Sequence, residues 1–313
     1  MRPDVQRWFA HRTFHGPGLT PRRLLARKNA SVSVVLPALN EGRTIGRIVA
    51  AIHRELVRRV PLVDEIVVID PGSTDGTARA AAAAGAEVVA EADVLPAYGR
   101  VPGKGEALWK SLHVTRGELV AFVDADLEQF DPDLVTGLLG PLLLEPAVSF
   151  VKASYERPLR GGLLPAGGGR VTELVARPLL NAHWPALAGV VQPLSGEYAA
   201  RRSLLERLPF VSGYGVELAL LVDVLHIAGL DAIAQVEVGR KVHRHQDDEA
   251  LGRMAAHIWQ TARVRLGLPA DAGLTQFRRG PAGLEAVTTE VRVTERPPML
   301  TVPEYVAWRA RAS

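Results

Sequence analysis

The 313-residue chain contains no cysteine, which excludes disulfides, thiolate metal sites and cysteine nucleophiles and leaves any metal to oxygen or imidazole ligands. Aromatic residues make up only 5% of it and the formal net charge is only +3. A sequence pI of about 9.4 therefore describes no nucleic-acid-binding surface, and the slight basicity better suits small anionic substrates. No apolar run approaches the roughly 20 residues of a membrane span; the richest stretch, Leu134 to Val148, is interrupted by Pro141, Glu145 and Pro146. The start, Met1-Arg2-Pro3-Asp4, leads into no apolar signal segment, so we expect a cytoplasmic protein without a membrane partner. In that setting the Asn29-Ala30-Ser31 sequon has no meaning. Internal repeats, the dinucleotide fingerprint GxGxxG, HExxH and the nucleophile elbow are also missing. What remains is ordinary soluble composition, 47% hydrophobic and 23% charged, which rules out disordered and collagen-like chains.

Short β-branched runs alternate with helical patterns along the first half. Ser31 to Ala38, Glu65 to Asp70, Glu87 to Ala90 and Glu118 to Val123 read as buried strands. Between them, helices are expected from Gly42 to Arg58, capped by Asn40, then from the Gly72–Asp75 turn to Gly85, from Gly105 to Val114, and from Asp133 to Leu144. This alternation predicts an α/β fold, a mostly parallel sheet with helices on both faces. Further strands are expected at Val148 to Tyr155 and Asp231 to Val238, with helices from Arg170, at Val216 to Gly229 and at Leu251 to Leu266. The segment before Asn29 reads as basic and irregular, and the last 45 or so residues as turns.

Ligands of open α/β sheets bind beyond the carboxyl ends of the strands, and the residues there are polar. The strands run into Pro37-Ala38-Leu39-Asn40-Glu41, Asp70-Pro71-Gly72-Ser73-Thr74-Asp75 and Asp124-Ala125-Asp126. Alternate residues leaving a strand share a side, so Asp124 and Asp126 suit a divalent cation carrying diphosphate oxygens; the other reading is a solvated turn with a helix-capping Asp. Pro102-Gly103-Lys104-Gly105-Glu106 opens a helix but lacks Walker spacing. Its N–H groups and the Lys104 ammonium favour an anion, unless it is only a flexible loop. Gly167-Gly168-Gly169-Arg170-Val171-Thr172 offers a second anion site or a plain linker. His243-Arg244-His245 presents imidazole to a metal or forms a surface cluster, and Glu217 either contacts sugar hydroxyls or favours its helix dipole.

The motifs at 37–41, 70–75 and 124–126 together resemble the nucleotide-binding half of a GT-A glycosyltransferase. Pro102 to Trp109, Gly167 to Pro178, Gln192 to Ala199 and Gly213 to Glu217 are similar to the actinobacterial glucosyl-3-phosphoglycerate synthase family, a resemblance spanning about Ser31 to Phe277. It implies Leu39 and Glu41 at the nucleotide base, with Pro71 beside them, Lys104 on the donor and Asp124 at the ribose. It implies Asp126 and His243 as ligands of Mg²⁺ or Mn²⁺. Gly169, Arg170 and Thr172 would hold the acceptor phosphate with Lys241 and His245 nearby, Leu194 would place its backbone near the anomeric carbon, and Glu217 would bind sugar hydroxyls. The implied organisation is an N-terminal extension (1–30), a nucleotide-sugar-binding half (31–150), an acceptor-binding and metal-completing half (151–270) and a C-terminal tail (271–313). Partners would be a nucleotide-sugar donor and 3-phosphoglycerate, in a homodimer without nucleic acid.

The family has Ser where this chain has Pro71, Arg at Lys241 and Asn at His245, and its metal motif more often reads Asp-Ser-Asp. Pro71 removes an N–H and a hydroxyl near the base, and Lys241 replaces a bidentate fork by a point charge. The expected reaction is retaining transfer of glucose from UDP-glucose or another NDP-glucose to the 2-hydroxyl of 3-phosphoglycerate. The alternative is mannosyl transfer from GDP-mannose. A different class of reading is a nucleotide-sugar sensor that binds and transfers nothing.

Overall fold

The computed structural model describes residues 1–156, 158–159, 162–163, 169–240, 247–270, 272–280 and 283–312. Its centre is an eight-stranded sheet. From edge to edge the strands are Thr13–His15, Ile233–Arg240, Phe150–Glu156, Tyr198–Arg201, Leu119–Phe122, Val32–Pro37, Glu65–Asp70 and Glu87–Ala90. Tyr198–Arg201 runs antiparallel to both neighbours, and every other pairing in the sheet is parallel.

The period-two alternation of each strand sorts its side chains into two cores. Val32, Val34 and Leu36 join Val68, Ala121 and the Ile45–Ile52 and Asp133–Leu144 helices on one face. Val35, Val67, Val120 and Phe122 join the Lys104–Val114 and Val216–Ala228 helices on the other. Both faces are thus covered, which is why the strands read as continuous apolar runs. Among the described residues no helix is long and apolar enough to cross a membrane.

Three expectations are corrected. The first 29 residues are not irregular: Pro3–Arg12 is a helix, Thr13–His15 is an edge strand, and Trp8 is buried with its indole N–H donating to the Ile233 carbonyl at 2.8 Å. The tail is not only turns, since Ala272–Gly280 pairs antiparallel with Gly283–Val291 and Pro303–Ala312 is helical. Asn40 caps no helix. It adopts φ +57°, and the helix begins at Ile45 after Thr44.

Candidate functional site

The inverted Tyr198–Arg201 strand decides what meets at the sheet edge. Seven strands end there, so the residues after them face the same way as the residues before Tyr198. Asp124, two residues past the Leu119–Phe122 strand, therefore meets Gly196, two residues ahead of Tyr198. A Cβ on Gly196 would lie 2.4 Å from both Asp124 Oδ2 and Lys104 Nζ; only glycine permits this approach.

Lys104 stands at the centre. Its ammonium lies 2.5 Å from Asp124 Oδ1 and 3.1 Å from Glu217 Oε1, and donates to the Gly196 carbonyl at 3.4 Å. Burial alone would depress this lysine, but the carboxylates of Asp124 and Glu217 outweigh it and hold its pKa well above the ordinary value. The flanking glycines are set by close packing. Gly103 sits at φ +126°, where a Cβ would fall 2.1 Å from the Ser212 carbonyl oxygen, and the Gly105 N–H donates to that same oxygen at 3.0 Å. The Pro-Gly-Lys-Gly turn thus packs against residues 211–213 and aims Lys104 at Glu217, on the first turn of the Val216–Ala228 helix.

Hydrogen bonds lace the first two loops together. Asn40 N–H donates to Ser73 Oγ at 3.0 Å, Thr74 N–H to Asn40 Oδ1 at 2.9 Å, and Glu41 N–H to Thr77 Oγ1 at 2.8 Å. Asp70 accepts from the amides of Gly72 and Ser73. The Thr77 hydroxyl and amide, with the Gly42 amide, hold the Asp75 carboxyl below its usual range. Asp70 and Asp75 are therefore loop-building carboxylates. Thr44 donates to the Ala125 carbonyl at 2.6 Å and to Glu41 at 3.3 Å, tying the Glu41 loop to the Asp124–Asp126 turn. Leu39 remains half exposed at the loop tip. The Pro71 carbonyl accepts from Arg100 at 2.6 Å, which places a guanidinium where the sequence reading saw none.

Asp126 is exposed just beyond buried Ala125, and a cleft of about 560 Å³ lined by Leu127, Asp131, Tyr155 and Glu197 opens beside its turn. Its carboxylate suits a hard cation that completes its shell with phosphate oxygens. Among the described residues no three His, Asp or Glu side chains form a metal cluster, and His243, Lys241 and His245 lie outside the described residues. Gly167 and Gly168 also lie outside them. Gly169 accepts from Glu173 N–H at 3.0 Å, Thr172 is buried, and exposed Arg170 pairs with Asp248 at 2.5 Å. Leu194 lies in a turn closed by the Ser195 N–H donating to the Gln192 carbonyl at 3.1 Å. The structure thus brings together Lys104, Asp124 and Glu217, and links Glu41 to the Asp126 turn. Arg170 is joined to the Asp248–Arg265 helix instead. Arg100 was missed in the sequence, its partner Pro71 lying 29 positions away, and Gly196 was read only as part of the Gln192–Ala199 motif.

Residues 33–177 match the glycosyl transferase family 2 model. A glucosyl-3-phosphoglycerate synthase of Mycolicibacterium paratuberculosis is 48% identical over 305 residues, 94% of this chain and 92% of that protein. The chain resembles the crystal structure of the Mycobacterium tuberculosis glucosyl-3-phosphoglycerate synthase in complex with Mn²⁺, UDP and glucosyl-3-phosphoglycerate, with a TM-score of 0.83 and 47% identity over 93% of this chain and 99% of that one. It also resembles mannosyl-3-phosphoglycerate synthase from Rubrobacter xylanophilus, with a TM-score of 0.89 and 42% identity over 95% and 98%.

Proposed function

The chain belongs to the glucosyl-3-phosphoglycerate synthase family, and from that premise we propose that it moves glucose from UDP-glucose to the 2-hydroxyl of 3-phospho-D-glycerate with retention of configuration. The observation that carries this reading is the Lys104 ammonium held between Asp124 and Glu217 at the carboxyl edge of the sheet. It is a fixed cation beside the turn that carries Leu194, where a sugar diphosphate needs charge stabilisation.

In the reaction the bond from the anomeric carbon to the diphosphate oxygen breaks, the acceptor oxygen bonds to the same face, and its proton passes to the departing phosphate. Glu217, ion-paired to Lys104, is a poor nucleophile and instead orients sugar hydroxyls. Leu39, Glu41 and Pro71 border the base, with Arg100 fixing the Pro71 carbonyl, while Asp124 faces the ribose. Gly169, Arg170 and Thr172 take the acceptor phosphate, Arg170 exchanging Asp248 for it, and Lys241 and His245 complete that site. Asp126 and His243 are the residues that would hold Mg²⁺ or Mn²⁺, and the ion would supply charge neutralisation for the leaving diphosphate.

A second reading, mannosyl transfer from GDP-mannose, draws on the likeness to the Rubrobacter synthase. Incubating the protein with 3-phosphoglycerate and Mg²⁺ and, separately, UDP-glucose, GDP-glucose or GDP-mannose decides between them by nucleoside diphosphate release and product mass. UDP-glucose is expected to be preferred, preference for GDP-mannose selects the second reading, and silence with all three overturns both. The reading includes a cytoplasmic homodimer, its dimer contact supported by exposed Phe277 and Leu284 on the two-stranded ribbon.

A further inference from the structure

Lys152, in the middle of the Phe150–Glu156 strand, is 1% exposed. Lysine is almost never buried unless paired, and this one lies beneath the proposed reaction centre. Its ammonium donates to the Ser195 carbonyl at 2.5 Å and stands 5.0 Å from the centroid of the Tyr198 ring. Lys104 donates to the next carbonyl, that of Gly196. Two lysines from different elements therefore grip consecutive carbonyls of one turn. The same turn is anchored by the Gln192 amide on the Tyr155 carbonyl at 2.5 Å and by the Ser195 hydroxyl on the Glu197 carboxylate at 3.0 Å. Leu194 lies between these anchors, immediately before the carbonyl that Lys152 holds.

We propose that Lys152 is a positioning residue for glycosyl transfer, anchoring the Ser195 carbonyl and thereby fixing the Leu194 backbone against the sugar. The inference rests on the transferase reading above. A turn shifted by about 1 Å costs on the order of a hundredfold in rate without loosening either substrate, which is the expected signature.

The charge of Lys152 is sensitive to pH as well. Burial pulls its pKa down to about 8. The facing groups are Glu217 at the start of the Val216–Ala228 helix, Glu197 just before the Tyr198–Arg201 strand and Asp124 past the Leu119–Phe122 strand, which favour the ammonium, Lys104 on its own helix, which opposes it, and the Tyr198 phenol, which burial keeps neutral. Turnover should therefore fall as pH rises through that value.

The test is Lys152→Met, which keeps the length of the side chain but removes its charge and leaves the Ser195 carbonyl without its donor. Its kcat should fall about a hundredfold while KM for UDP-glucose and for 3-phosphoglycerate stays within about threefold. Because the chain has no cysteine, Lys152→Cys can be alkylated with 2-bromoethylamine at that single thiol while unfolded and then refolded. The resulting amine, less basic than lysine, should restore kcat and move its alkaline limb to lower pH. Turnover of Lys152→Met within about threefold of wild type, or a loss confined to KM, overturns the proposal, as does a folded alkylated protein no more active than unmodified Lys152→Cys. Should neither variant fold, the wild-type kcat profile decides: a limb near pH 8 supports the role, and a flat profile to about pH 9.5 overturns it. A wild-type protein inactive with every donor sinks the transferase reading itself.

Discussion

The Lys104–Val114 helix starts two ion clusters two residues apart, and they differ in whether they are closed. Glu106 is completely buried and receives Arg296 bidentately at 2.5 and 2.7 Å, with Lys110 at 3.3 Å. Arg296 reaches in from the C-terminal segment, donates also to the Tyr98 and Gly99 carbonyls, and lies 5.3 Å from the Trp109 ring. Lys110 donates in turn to the Glu91 carbonyl at 3.0 Å. Each charge there is enclosed by fixed protein partners. Lys104 is also paired, but its side chain is 26% exposed and that of Asp124 25%, so a ligand can join. The same ion chemistry builds a structural bolt where the tail closes it and a binding centre where the sheet edge leaves it open.

The sharpest way to break this contrast is Arg296→Ala. Removing one partner leaves Glu106 buried beside Lys110 alone, and breaking buried pairs costs about 3–5 kcal/mol. Urea unfolding should show that loss, while kcat of the folded fraction at low temperature changes little. Loss of turnover with unchanged stability would move Arg296 into the working site. Lys104→Met is the mirror experiment: kcat/KM should fall about 10²–10³-fold with a smaller change in the unfolding midpoint. A variant that unfolds as readily as Arg296→Ala would erase the distinction.

The two clusters were also unequally legible in the sequence. Lys104, Asp124 and Glu217 each sit just past a strand or at a helix start, where local pattern alone raises suspicion, and the structure unites them. Strands Glu65–Asp70 and Glu87–Ala90 and the Asp133–Leu144 helix occupy the residues their apolar runs indicated. Arg296 and Glu106 are 190 positions apart and Lys152 and Ser195 are 43 apart, and no local periodicity reports such a pairing. The Tyr198–Arg201 strand escaped because it enters the sheet antiparallel, outside the strand–helix alternation. Trp8 anchors the Pro3–Arg12 helix through a carbonyl 225 positions away and through packing in the core. The tail ribbon was missed because exposed and half-exposed residues alternate along Gly283–Val291, burying too little to read as core.

Gly196→Ala sharpens the contrast by closing the open cluster from within. The added methyl would meet Asp124 Oδ2 and Lys104 Nζ at 2.4 Å, so one of them must move. The displaced ammonium should lower kcat about a hundredfold with the protein still folded, since Lys104 can swing toward solvent. Stopped assays beside circular dichroism check both halves. Near wild-type turnover would mean that the open cluster tolerates a geometry the closed one could not.

The smallest effect is expected where an ion pair is most exposed. The Arg170 and Asp248 side chains are 55% and 89% exposed, and such pairs are worth under about 1 kcal/mol. A phosphate dianion offers Arg170 more charge and can be bound bidentately, so on the proposed function Asp248 is a placeholder that the acceptor displaces. Asp248→Asn should then lower KM for 3-phosphoglycerate by no more than about fivefold, leave KM for UDP-glucose unchanged, and weaken in its effect as salt rises. An increase in that KM would mean instead that Asp248 holds Arg170 in its working position, and that even this open pair behaves like the closed one at Glu106.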